Sequence, residues 1–351
     1  MLRLKRDLLD FGFVVPIFFL IAVSIFALNS FAKNLFPLYY FYVVVSLLSF
    51  FIFRKIDFEI LSLFSRQLYV ICIVSLVVTI ITGQITRGAI RWIEIGSLKI
   101  QPSEIVRPFL ILFFAKYLSD QAISLKKVVG GFFLAFIPVF LIFIQPSLTV
   151  SLLTFISFLG VLLDSRINKK YLLAIFLAIF LTILLGYRFL APYQRDRVTS
   201  FLNPYLDPLG AGYNSIQSMI SVGSGGIMGR GFGKGVQTQL AFLPERHNDF
   251  VFASISEEFG FLGASLVIIL SLLLFLKIIK YLQAAKGQLA FNFMFGCFFV
   301  LFTQFSINVL MNLGLFPVAG VTFPLLSSGG SSLVATMIMF GMIASLSKAT
   351  G

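Results

Sequence analysis

The chain has 351 residues, of which 59% are hydrophobic and only 12% charged, against roughly 25% charged in a soluble domain. So few charges leave no way to cover an aqueous surface. The net charge of +13 is scattered between apolar runs and not gathered on one face, which argues against a nucleic-acid-binding protein.

Apolar runs near 18 residues recur along the whole length, each enough to cross a hydrocarbon layer of about 30 Å as a helix. Stretches such as residues 132–144 are apolar on every side, unlike the alternation of a barrel strand. The expected fold class is therefore all-α: a polytopic integral membrane protein of about ten transmembrane helices, surrounded by membrane lipids, forming one membrane domain over residues 1–351.

In chain order, spans are expected at 11–29, 36–53, 67–82, 104–119, 128–144, 147–163, 171–188, 250–277, 289–311 and 329–347. The first runs to Asn29 with no small-residue cleavage site, so it reads as a retained helix and not a signal peptide. Basic residues at 3–6, 54–66, 126–127, 166–170, 277–286 and 348 then fall on one face, while the short loops of the other carry only Lys33. The positive-inside rule places both termini in the cytoplasm. Cys72 and Cys297 lie inside apolar spans and read as small core residues, not as a disulfide or a thiolate metal site.

That topology leaves three outward segments that are more than connectors: 83–103, the long extracytoplasmic loop 189–249 between spans 7 and 8, and 312–328. The glycine-rich stretch Gly223–Gly235 lacks the GxxxxGK[ST] pattern and reads as turn flexibility. Tyr213, Ile216, Met219, Ile220, Ile227 and Met228 predict amphipathic pieces lying in the membrane interface.

Ionisable residues at membrane depth are expensive, and each is a site candidate. The fourth span opens Gln101-Pro102-Ser103-Glu104, with Ser103 as N-cap and Pro102 as helix starter, and continues through Arg107 to Lys116. Glu104 and Arg107 share a face, and Lys116 lies about 13 Å further along, on the opposite side. Two readings stay open: a Glu104–Arg107 salt bridge with Lys116 snorkelling to the interface, or cations aimed at an anionic head group such as a pyrophosphate. Asp249, after His247-Asn248 at the mouth of the eighth span, could cap that helix or serve as general base or metal-assisting carboxylate. Glu257 and Glu258, two turns deeper, are expected to pair with basic residues of neighbouring spans. His247 is the only histidine, too few for a His-based zinc site, and is a candidate substrate contact. Pro317, Gly320, Pro324 and the run Ser327 to Ser332 break the backbone at membrane depth, which survives where it lines a cavity.

Asn308, Gly314-Leu315, Pro317, Gly320-Val321 and Leu325-Leu326-Ser327-Ser328-Gly329-Gly330-Ser331-Ser332 resemble the signature of the FtsW, RodA and SpoVE family, also called SEDS. Arg91-Trp92, Gln101 to Glu104, Tyr193 to Arg197 leading to Phe201 to Pro204, and Leu243-Pro244-Glu245 to Phe250 with Glu257-Glu258 are similar to further family blocks, in family order, across about residues 85–345. One departure is that Gln145-Pro146 is followed by Ser147-Leu148-Thr149, where the family usually has Asp-Leu-Gly.

The resemblance implies a peptidoglycan glycosyltransferase of the bacterial plasma membrane that polymerises lipid II on the outer leaflet during elongation and cell-shape maintenance. Its partner would be a class B penicillin-binding protein. By position Asp249 matches the family's proposed catalytic aspartate, with a divalent cation, Mg or Mn, as an optional cofactor there. Arg107, Lys116, Arg195 and Arg197 would face the departing polyprenyl pyrophosphate, and Glu104, His247, Ser327, Ser328, Gly329 and Gly330 complete the expected substrate-binding set. The alternatives are a lipid II flippase without catalytic activity and a scaffold for the penicillin-binding protein.

Overall fold

The structure, a computed structural model, describes residues 10–86, 89–120, 123–164, 195 and 199–348. The expected seventh span, 171–188, and Arg197 lie outside the described residues. Within them, seven helices are long and apolar enough to cross a membrane. They are α1 (Phe11–Phe31), α2 (Leu38–Lys55), α4 (Ser65–Thr82), α7 (Leu125–Ile144), α11 (Val251–Gln283), α12 (Gln288–Asn312) and α13 (Gly330–Lys348). Between them run the connector α3 (Phe58–Leu63), the pair α5 (Pro102–Ile105) and α6 (Arg107–Tyr117), the 17-residue apolar α8 (Leu148–Asp164), α9 (Tyr213–Ser224) and the single turn α10 (Val236–Gln239).

Helix α13 is the centre of the bundle, with 83% of its apolar window buried against 22–28% for α2, α4 and α7. The outer helices present Phe18, Phe19, Phe133, Phe136 and Phe140 away from the protein, a surface only lipid covers without cost. Asp10 accepts from the Gly12 amide and pairs with Lys277 at 2.8 Å, so the start of α1 meets the end of α11. Ser345 donates to the Ile56 carbonyl at 2.6 Å, so the end of α13 meets the end of α2. The basic residues Arg54, Lys55 and Lys277 thus gather at one end of the bundle, and Asp249, just before α11, stands at the other.

Three features depart from a plain set of spans. The first is a small antiparallel sheet in order β1-β2-β3: β1 (Gln84–Thr86), β2 (Ala89–Ile95) and β3 (Leu98–Ile100). The turn between β2 and β3 is Gly96-Ser97, with Gly96 at φ +63, a two-residue hairpin signal. Glu94 pairs with Lys99 across it at 2.9 Å, and Tyr42 of α2 holds both the Lys99 amide and carbonyl, at 2.9 and 3.0 Å.

The second departure is that the expected fourth span is broken into α5 and α6. Pro108 has no N–H for the Glu104 carbonyl, so the ladder fails between them. Gln101 takes the cap position and Ser103 falls inside the turn, which corrects the expectation of Ser103 as N-cap.

The third is a break in α11 at Gly260, with φ 66 and ψ −162. Main-chain groups freed there are taken by the glycine-rich segment: Arg230 and Gly231 donate to the Glu257 and Glu258 carbonyls at 2.9 and 3.0 Å, and Phe261 and Leu262 donate to Gly226 and Ile227 at 2.8 and 3.2 Å. Side chains at Gly225, Gly229 or Gly260 would overlap the facing backbone. The glycines therefore permit backbone-to-backbone docking, which corrects the reading of loose turns. Gly260→Ala is expected to lose about 2 kcal/mol or more from a conformation only glycine adopts. It should show as a lower unfolding temperature and faster proteolysis within residues 225–239, and unchanged values of both would contradict this account.

Candidate active site

The residues that could do chemistry meet at the Asp249 end, on main chain that is clamped from several sides. Arg246 donates to the Phe31 carbonyl at 3.3 Å. Ser327 donates to the Asn248 carbonyl at 2.6 Å, Ser328 donates to the Asn248 side-chain oxygen at 2.6 Å, and the Ser328 amide reaches the His247 carbonyl at 2.9 Å. Ser327 and Ser328 therefore fix the loop that carries Asp249. Glu245 and Leu325 hold the left-handed conformation at φ 51 and 67, local strain of the kind that collects at functional sites.

Asp249 does not take the cap position of α11. That position is Phe250, which makes no side-chain cap bond, and the amide of Ala253 is taken by Asn312 at 3.0 Å. The Asp249 carboxylate is half-buried and approaches Gly320, one of its oxygens lying 3.4 Å from where a Cβ on that residue would sit. Gly320 has φ +65, so the backbone turns there and leaves room beside the carboxylate.

Glu104 lies in the field of Arg107 first, then of Arg91 and Asp249, so segment 83–103 shares this space. The Gln101 amide donates to Ser331 at 2.8 Å, joining that segment to the start of α13. Thr149 donates to the Ala319 carbonyl, bringing in the start of α8. At the place where the family usually has an acid, Ser147 is buried and contributes no charge.

Arg107 is 1% exposed, and its Nε and Nη2 have no hydrogen-bond partner among the described residues. The Nε of Arg91 and the hydroxyl of Ser103 are likewise buried without one. No hydrogen bond or close ion pair links Glu104 to Arg107 among the described residues, so the stapling salt bridge is not formed. Buried polar groups are nearly always satisfied, so orphan donors among the described residues are where an anionic ligand would be accommodated.

Other candidates lie elsewhere. Lys116 is exposed in the last turn of α6, away from Arg107. Arg195 is exposed. The His247 ring lies 3.8 Å from Glu245, half-buried beside Asn248. A side chain at Gly330 would overlap the Tyr42 ring, so this glycine serves the packing of α13 on α2, and Gly329 sits between Thr322 and Ser332.

Among the described residues Glu257 and Glu258 make no ion pair with a basic residue, contrary to expectation. Glu257 accepts from the amides of Gln237 and Thr238 at 2.8 and 2.9 Å, from the Thr238 hydroxyl, and from Ser221 at 3.4 Å. Glu258 accepts from Ser30 and Gln239, both at 2.8 Å. Neutral donors from the ends of α1, α9 and α10 supply what cations were expected to, and the carboxylates pin the long loop to α11. Helix α9 packs on α11 and α12 through a face of small residues, Ser215, Ser218 and Ser221, and Ser218 donates to the Asn312 carbonyl at 2.9 Å. Its Ile220 and the nearby Ile227 and Met228 remain exposed.

The profile of a family described as cell cycle proteins, FtsW, RodA and SpoVE, matches residues 3–351. The peptidoglycan glycosyltransferase MrdB of Escherichia coli is 39% identical over 284 residues, covering 80% of this chain and 76% of that protein. Stage V sporulation protein E of Bacillus subtilis is 34% identical over 313 residues, covering 87% and 84%. A chain from a peptidoglycan synthase complex that coordinates polymerization and crosslinking superposes with a TM-score of 0.84 at 27% identity, covering 97% of this chain and 98% of the other. The rod shape determining protein RodA of Thermus thermophilus gives 0.76 at 25% identity, covering 99% of each.

Proposed function

The chain belongs to the FtsW, RodA and SpoVE family and is a multi-pass membrane peptidoglycan glycosyltransferase of cell-wall synthesis, and we propose that it polymerises lipid II where Asp249, Glu104, Arg107 and Arg91 meet. The observation that carries this reading is the set of buried donors without acceptors on Arg107, Arg91 and Ser103. Arg107, Arg91 and Asp249 all act electrostatically on Glu104, and the donors suit the phosphate oxygens of a polyprenyl pyrophosphate.

In the proposed reaction, Asp249 accepts the proton of the acceptor sugar hydroxyl as its oxygen bonds to the anomeric carbon of the donor. The bond from that carbon to the pyrophosphate breaks with inversion, and the charge that develops is met by Arg107 and Arg91. Glu104 lies within the electrostatic reach of both arginines. Ser327, Ser328 and His247 belong to the proposed site by shaping the Asp249 loop.

A divalent cation remains an optional cofactor of the proposed site. No group of three His, Cys, Asp or Glu side chains that could hold one occurs among the described residues. Asp249 would supply one carboxylate, the lipid pyrophosphate and water the remaining oxygens, which is the coordination Mg favours. Such an ion would lower the charge on the pyrophosphate.

The proposed orientation puts the basic end of the bundle in the cytoplasm and the Asp249 end outside, where a class B penicillin-binding protein would crosslink the product. Single cysteines check it in intact cells, because Cys72 and Cys297 are buried. Lys99→Cys is expected to react with a membrane-impermeant maleimide and Lys286→Cys to react only after permeabilisation; the reverse pattern would invert the topology.

The full chain with its penicillin-binding partner in liposomes, given labelled lipid II, should form glycan strands. Head-group translocation without a glycan product would overturn the polymerase reading in favour of a flippase.

A further inference from the structure

Asn312, at the end of α12, is fully buried, and both ends of its carboxamide are engaged at Asp249. Its Nδ2 donates to the Asp249 carbonyl at 3.0 Å, and its Oδ1 accepts from the Ala253 amide at 3.0 Å. Those two main-chain groups are four residues apart and would bond each other in a regular helix. The carboxamide is thus inserted into the first rung of α11, and the first regular bond is from the Ser254 amide to the Phe250 carbonyl, at 3.0 Å. Asn308, one turn earlier on α12, adds a second donor to the Asp249 carbonyl at 3.0 Å and anchors the Val321 carbonyl at 2.6 Å, next to Gly320. One side-chain pair therefore holds both walls of the space around the Asp249 carboxylate.

We infer that Asn312, supported by Asn308, is a positioning residue: by replacing the first helical hydrogen bond it keeps Asp249 out of α11 and aims its carboxylate at the space beside Gly320. Without the inserted carboxamide, the Asp249 carbonyl and the Ala253 amide close on each other and draw Asp249 into the first turn. The inference rests on the reading of Asp249 as the base, and the two fail separately.

The test measures polymerisation by the full chain with its partner in liposomes, using labelled lipid II. Asn312→Leu is expected to lower kcat about 100-fold, the size of effect that follows a misplacement of about 1 Å, with KM changed by less than about threefold. In an Asp249→Asn background the same substitution should cost nothing further, because the group it positions is gone. Should Asn312→Leu not fold, Asn312→Ala removes the carboxamide without adding apolar bulk or charge, and is expected to fold and still lose at least about tenfold in kcat. A folded Asn312 variant with kcat within about twofold of the parent overturns the inference, as does an equal loss in the Asp249→Asn background, which would mark a purely structural role. Full activity of Asp249→Asn itself would instead overturn the assignment of the base.

Discussion

Asp249→Ala is expected to lower glycan polymerisation by about 10³-fold, within the range a positioned general base contributes, while the protein stays folded and still binds lipid II. The fold should tolerate the change because the side chain does not take the cap position of α11, where the Ala253 amide is satisfied by Asn312. The main chain at 249 is held through its carbonyl by Asn308 and Asn312, and those bonds survive truncation of the side chain. A stability loss from a cap residue is typically about 1 kcal/mol, so an unfolding temperature near that of the parent separates chemistry from capping. Normal polymerisation by a folded Asp249→Ala protein would remove Asp249 from the mechanism. It would leave Glu104, Glu245 and His247 as candidate bases.

How much of this was legible in the chain depends on the range of the interaction involved. Span positions follow from apolar runs of membrane length, and α1, α2, α4, α12 and α13 fall within a few residues of the expected ranges. The bond from Ser328 to Asn248 joins two of the three outward segments, and that from Gln101 to Ser331 ties the remaining one to the start of α13. What the local pattern does not carry is how polar groups far apart in the chain satisfy one another. Glu257 and Glu258 promised cations from neighbouring spans and found amides and hydroxyls from a loop some 20 residues earlier and from Ser30 of α1. Glycines at 225–235 offer no side chain from which to infer a partner, and their role appears only against the break at Gly260. Ser327 and Ser328 are small polar residues that suit a ligand and a main-chain clamp equally, and the structure uses them as clamps. Asn312 escaped attention because one asparagine at a span end looks like the limit of an apolar run. The signal that could have found it is its spacing of four from Asn308, which places both carboxamides on one face of α12.

Arg107 is where stability and chemistry are most easily confused, and the expected results separate them. Arg107→Leu should lose polymerisation by about 10²–10³-fold, comparable to removing one donor that meets charge developing in a transition state. It should also lower the unfolding temperature, since the buried Glu104 would lose the opposite charge that acts on it most strongly. Adding Glu104→Gln removes that uncompensated charge, so the double variant is expected to regain most of the lost stability. It should not regain the rate. The Nε and Nη2 of Arg107 have no acceptor among the described residues, so their contribution is predicted to appear with the pyrophosphate in place, and neutralising Glu104 cannot replace it. Lysine at 107 keeps the charge but not the planar fork that bonds two phosphate oxygens at once, and it should fall between the parent and Arg107→Leu. If the stabilised double variant polymerises lipid II at the parental rate, Arg107 is a structural counter-charge for Glu104 and the pyrophosphate must be held elsewhere.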